Sequence, residues 1–157
     1  MELEEAKELA FELMKEHGIH YGWRFDFDNA KKRFGACHFS YNCITLSKHL
    51  VQLNDYKIVR NIILHEIAHA LVNPRYGHNW VWRQKALEIG CDGNRCYDSN
   101  KVKPVIGKLV AKCPNCKHIF YKHRTPKGER ACGKCKHLPF EKRLLTFSIN
   151  KEMARQS

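Results

Sequence analysis

Ile62-Ile63-Leu64-His65-Glu66-Ile67-Ala68-His69-Ala70-Leu71 is the stretch that decides how this 157-residue chain is read. Ile58, Ile62, Ile63, Ile67 and Leu71 recur at helical spacing, so the stretch belongs to a helix with one apolar side. Asn54 or Asp55 can cap its start, and Asn73-Pro74 stops it. The four-residue interval between His65 and His69 puts both imidazoles on one face, one turn apart, which sets two metal-ligand positions. Glu66 is rotated around the helix from them. Its carboxylate therefore reaches a water beside the metal rather than the metal itself, the placement of a general base in peptide hydrolysis. Burying two imidazoles and a carboxylate among Ile and Ala is costly unless something pairs them, and a metal ion does so.

A catalytic zinc takes three protein ligands and keeps a fourth position open. His78 follows His69 after eight residues, beyond a Pro and Gly turn, and Glu88 follows after eighteen, on the next expected helix. Glu88 would give a His2Glu site. His78 is preferred, because a turn-borne imidazole needs only a short return path, and Glu88 then reads as a solvated helix residue. The metzincin pattern fails, since Val72 and Arg75 stand where Gly and His are required.

Outward from this helix, residues 2–17 are expected to form an amphipathic helix ended by Gly18. Ile19–Phe27 and Ala36–Leu46 alternate as two strands, and Ser47 caps a short helix through Leu53. A further helix is expected over Asn79–Gly90, with Trp80, Trp82 and Trp23 as packing residues. The fold class is α+β, and composition changes near residue 100. We expect two domains, 1–104 and 105–157, the second built from short strands at Val105–Ala111, Ile119–Tyr121 and Leu144–Ile149.

Charge divides in the same way. Residues 1–100 hold 13 Lys or Arg against 13 Asp or Glu, whereas residues 101–157 hold 15 against 3, the whole of the +12 net charge. Such a segment calls for an anionic partner, and a nucleic-acid backbone is the commonest one. Cys113, Cys116, Cys132 and Cys135 form two Cys-x2-Cys pairs with 15 residues between them, the spacing of a closed structural zinc site. Around them stand Lys112, Lys117, Lys122, Arg124, Lys127, Arg130, Lys134 and Lys136, with Tyr121 as the stacking candidate and Phe120 and Phe140 as apolar filling. Cys37, Cys43, Cys91 and Cys96 show no pairing pattern and read as buried free thiols.

These motifs in this order resemble the SprT-like zinc metallopeptidases, the family of bacterial SprT and of the catalytic region of eukaryotic Spartan. The likeness is carried by His65 to Leu71, by Gly77-His78 with Trp80 and Trp82, by Trp23, Phe25 and Phe27, by Cys43 to Ser47, and by the cysteine pairs. It covers roughly residues 5 to 147. The resemblance implies a zincin-like metalloprotease domain followed by a β-rich zinc ribbon. It further implies His65, His69 and His78 as ligands of a catalytic zinc, Glu66 as base, and a second, structural zinc on the four cysteines. The implied activity is DNA-dependent cleavage of proteins on DNA, including DNA–protein crosslinks. Lys117 and Lys136 depart from the Gly found after many zinc-binding pairs, and motifs of the long eukaryotic tail are missing.

The resulting expectation is a DNA-coupled zinc endopeptidase with single-stranded or partly single-stranded DNA and DNA-bound proteins as partners. In it, the segment Ile44–Ser47 offers an edge for substrate. A non-catalytic, zinc-containing DNA-binding or regulatory protein is the alternative, opposed by an intact Glu66. The acidic start and the lack of a long apolar run point to an intracellular monomer without membrane attachment, nuclear in a eukaryote and in the cytoplasm or nucleoid of a prokaryote.

Overall fold

The computed structural model describes residues 1–96 and 101–151, and its chain divides into two compact units, Met1–Val105 and Ile106–Ser157. The end of the expected C-terminal tail, 152–157, lies outside the described residues. Among the described residues no helix is long and apolar enough to cross a membrane.

The first unit opens with α1 (Leu3–Glu16), which buries Ala6, Leu9, Ala10, Leu13 and Met14 along one face. Glu2 and Glu5 cap its start reciprocally, and Gly18 turns the chain away at a φ of 73°. A three-stranded sheet follows, from β1 (Arg24–Asp28), β2 (Gly35–His38) and β3 (Cys43–Ser47). The order is β1-β3-β2, with β1 parallel and β2 antiparallel to β3.

This sheet departs from the sequence reading in three ways. The strand expected from Ile19 begins only at Arg24, because the backbone N–H groups of Ile19 and Trp23 close turns onto Met14 and Ile19. The strand expected over Ala36–Leu46 is a hairpin, reversed where Asn42 takes a φ of 48°, a left-handed conformation that Asn tolerates. Ile44–Ser47 cannot offer an edge to a substrate: β3 is the central strand, paired on both sides and buried along its whole length. The edge nearest the helix with the histidines belongs to β2.

Ser47 accepts a hydrogen bond from the Leu50 N–H to start α2 (Lys48–Leu53), and Asp55 does the same for Ile58 to start α3 (Tyr56–Leu71). Val59, Ile63, Leu64, Ile67 and Ala68 of α3 are fully buried between α1, the sheet and α4 (Trp80–Glu88). Truncating one of the larger of these to Ala costs about 2–5 kcal/mol. After α3 the chain turns through Pro74–Tyr76, and Gly77, with a φ of 51°, redirects it before Asn79 caps α4. This path brings the turn residue His78 back to the helix.

In the second unit β4 (Leu109–Lys112) pairs antiparallel with β5 (Ile119–Lys122) and with β6 (Ser148–Ile149). Its buried core is small: Ala111, Cys113, Cys132, Cys135 and Leu145, with Phe120, Leu138 and Phe147 packed against it. Phe140, expected as filling, is instead 41% exposed, with the Arg143 guanidinium over its ring. Lys117 adopts a φ of 59°, whereas Lys136 is ordinary right-handed backbone, so only the first cysteine pair is followed by a position that favours glycine.

Candidate metal centre and active site

Two turns of α3 and one tight connection build the site. Nε2 of His78 lies 3.0 Å from Nε2 of His65 and 3.0 Å from Nε2 of His69. Neutral imidazoles do not satisfy this arrangement among themselves. The His78 nitrogen carries either a proton or a lone pair, so it can bond well to one neighbour but not to both. A cation accepts all three lone pairs at once. Tetrahedral zinc with bonds of about 2.0–2.1 Å would hold its nitrogens about 3.3 Å apart, so the donors fit such an ion with small adjustment.

Electrostatics favours the same occupant. Burial, then the charge of His78, pushes His65 down to about 4. Burial, then His65 and His78, takes His69 down to about 3, and His78 is lowered by burial and by Arg95. All three rings therefore present neutral donors at neutral pH. Beneath them the indole of Trp82 is 1% exposed, with ring centroids 4.6, 5.1 and 4.6 Å from His65, His69 and His78. Trp80, expected to pack beside it, is 73% exposed, because the first turn of α4 points that position outward.

Glu66 is 6% exposed and lies against β2. Room for its side chain exists only because position 35 is glycine: a Cβ there would come within 2.6 Å of Oε1 and 2.9 Å of Cγ. Burial pushes the Glu66 carboxyl up to about 8, with the Arg33 guanidinium pulling the other way. Both the carboxylate and the imidazoles line one open cavity of about 400 Å³. Arg33, Cys37, Phe39, Arg95 and Cys96 also line it, and none of these was singled out as a site residue from sequence. Two of the four thiols expected to be buried are not: Cys96 is exposed and Cys37 half-buried, its thiol pushed up to about 12 by burial and by the charge of Glu66. Glu88 is not among the converging donors, and its largely exposed carboxylate pairs with Lys85 at 2.7 Å.

Residues 2–102, 101 of 157, match the sequence model of the SprT-like family. The chain belongs to the SprT-like family. No curated protein sequence matches it. Among solved structures, it is similar to the metallopeptidase zymogen of Methanocaldococcus jannaschii jannalysin, at 18% identity and a TM-score of 0.45, over 61% of this chain and 85% of that one. Membership and the converging donors together make this SprT-like chain a metalloprotease.

A second donor group stands in the other unit. The sulphurs of Cys113, Cys116, Cys132 and Cys135 lie within 4.8 Å of one another, with Cys113 to Cys135 at 3.9 Å and Cys116 to Cys132 at 3.6 Å. Zinc–sulphur bonds of about 2.3 Å in a tetrahedron would place them about 3.8 Å apart, whereas a disulfide needs about 2.05 Å. The four side chains thus fit a tetrahedral thiolate site. Burial opposes ionisation of Cys113, but the N–H groups of Cys116 and Asn115 and then the Cys116 and Cys132 thiols favour its thiolate, whereas Cys116, despite the His118 N–H, is pushed up by burial and by its neighbours' sulphurs.

Proposed function

We propose that this protein is a zinc endopeptidase directed to proteins on DNA, with His65, His69 and His78 holding a catalytic zinc and Glu66 acting as general base. One observation carries the proposal: three neutral imidazole nitrogens converge in one open cavity that a buried carboxylate also lines. A zinc ion bound there would polarise the scissile carbonyl and acidify a water molecule. Glu66 would take the proton from that water and return it to the leaving amine. Its raised affinity for a proton, set by burial, suits the second transfer, and a bound dication would favour the ionised carboxylate that the first requires. Among the described residues no strand pairs with the outer edge of β2, Gly35–His38, and there an extended substrate segment would add as a strand, with Cys37 and Phe39 lining the cavity beside it.

The coupling to DNA rests on the second unit, read as a zinc ribbon in which a structural zinc sits on the four cysteines. Lys112, Lys117, Arg124, Lys127, Arg130, Lys134 and Lys136 are exposed around the cysteines, and Tyr121 and Lys122 are half-buried on β5. Phosphate-tracking cations beside a partly exposed tyrosine suit sequence-tolerant binding of single strands. Proximity to the strand, rather than peptide sequence, would then select the substrate, which is the logic of DNA–protein crosslink repair.

The test is cleavage of a basic DNA-binding protein by wild type and Glu66→Gln, with and without single-stranded DNA, at two salt concentrations. Cleavage by wild type alone, raised by DNA and reduced by salt, is expected. DNA-independent cleavage would remove the coupling, and equal cleavage by Glu66→Gln would remove the assigned base.

A further inference from the structure

Two of the three donors are fixed by α3, where His65 and His69 stand one turn apart. His78 is not, because the turn that carries it, residues 73–80, is exposed apart from a half-buried Tyr76. Among the described residues the His78 ring touches three others: the two imidazoles of α3 and the indole of Trp82, the last at a centroid distance of 4.6 Å and an interplanar angle of 78°. The same indole meets His65 at 4.6 Å and 59°, and lies closer to parallel with His69, at 5.1 Å and 25°. Every one of these distances falls within the range of about 4.5–7 Å over which aromatic rings attract one another.

The chain fixes floor and turn to each other through a single residue. Asn79 follows His78, and its Oδ1 accepts from the N–H of Val81 at 2.9 Å and of Trp82 at 3.4 Å, while its carbonyl accepts from the Arg83 N–H at 3.0 Å. Ala86, one turn after Trp82, is fully buried, which keeps this side of α4 in the core. Filling that core does not by itself call for an indole. Nε1–H of Trp82 is buried with no partner among the described residues, a cost that Phe or Leu would not incur. The face of an indole is, however, the best aromatic surface for a cation. An imidazole bound to a metal ion takes on part of its charge, so the stacked His69 ring is held more strongly with metal than without.

Resting on the proposed zinc site, we infer that Trp82 is a positioning residue for all three ligands, holding the turn-borne ring of His78 against those of α3 before metal arrives and so raising the affinity of the site. Groups that hold metal ligands from behind typically cost about 10–100-fold in metal affinity when removed.

The experiment is zinc competition against a graded series of chelators on the full chain, comparing wild type with Trp82→Leu, Trp82→Phe and Leu13→Ala. His78→Ala identifies which part of the released zinc belongs to the histidine site. Leu13 is buried on α1, so its truncation lowers the melting temperature without touching the histidines and controls for a general loss of stability. Trp82→Leu is expected to weaken the histidine site about 10-fold or more, with the cysteine-held zinc unchanged. Trp82→Phe, which keeps a flat ring, should lose less, and Leu13→Ala should lose nothing. Cobalt substituted at the histidine site adds a second readout: its visible bands should shift in Trp82→Phe and not in Leu13→Ala, which keeps the test decisive if Trp82→Leu does not fold. Wild-type affinity in Trp82→Leu, unshifted bands in Trp82→Phe, or an equal loss of zinc in Leu13→Ala would overturn the inference alone. Tight zinc binding without proteolysis would instead overturn the proposed activity, and a wild type that binds no zinc at the histidines would overturn both.

Discussion

Gly35→Ala is a one-methyl change at a site where no methyl fits. The added carbon would lie 2.6 Å from Oε1 of Glu66, 2.9 Å from its Cγ and 2.9 Å from Cδ2 of Leu46, against 3.4 Å at the near limit of ordinary contact. Leu46 is fully buried and β3 is held on both sides, so the movement falls on Glu66 and on the edge strand β2. The carboxylate must give way by 3.4 − 2.6, or 0.8 Å. A displacement near 1 Å in a catalytic group costs about 100-fold in rate, which at about 1.36 kcal/mol per decade is about 2.7 kcal/mol of transition-state stabilisation. Overpacking should cost a further 1–3 kcal/mol or so of stability. The assay is kcat and KM on a generic unfolded substrate, with zinc content and melting temperature measured on the same sample. A fall of about 100-fold in kcat with zinc retained and KM little changed is expected. The melting penalty should be smaller when Gly35→Ala is made in a Glu66→Ala background, because part of the clash is then gone. Undiminished kcat in a folded, zinc-loaded Gly35→Ala protein would refute the argument, as would a melting penalty independent of residue 66.

The metal-free protein should lose stability as pH rises from 7.5 to 8. The Glu66 carboxyl is raised from 4.5 to about 8, so its proton is lost from the folded state at a cost over that window, while His65, His69 and His78, all lowered from 6.5, are by then almost wholly neutral in the unfolded chain too; thermal melts should show a steeper fall in wild type than in Glu66→Gln. Lys117→Gly should stabilise the second unit by about 1 kcal/mol, since Lys117 occupies left-handed backbone, and a lower melting temperature would count against this. Strong chelation should unfold β4 and β5 while leaving α1 and α3 intact, because only the second unit has a core made largely of cysteines; amide exchange resolved by segment would reveal the difference, and equal protection in both units would contradict it.

Much of the site could be read from spacing alone, since a four-residue interval on a helix fixes which side chains share a face. The return of His78 was legible too, because Pro74 and Gly77 mark a reversal just before it. Strand boundaries were less so: alternation continues through Phe39–Asn42, and only the left-handed backbone of Asn42 makes a hairpin of it. That error also led to the wrong edge, because the place of β3 between two partners depends on pairing that periodicity does not encode. Gly35 escaped notice for a related reason. It faces Glu66, a residue distant in sequence, and nothing in the local pattern of Phe34-Gly35-Ala36 reveals that neighbour. A glycine inside a strand is the one signal that would have prompted the question.

The packing of Trp82 under three imidazoles gives the protein an optical reporter. Indole emission responds to the charge and proximity of neighbouring imidazoles, and this indole has all three rings within about 5 Å of its own, with its Nε1–H buried and without a partner among the described residues. Trp80 is solvent-exposed and Trp23 packs at the edge of the core, so Trp80→Phe and Trp23→Phe would leave a chain whose fluorescence follows the histidine centre. Occupancy, protonation and the approach of a substrate could then be watched in real time without a label.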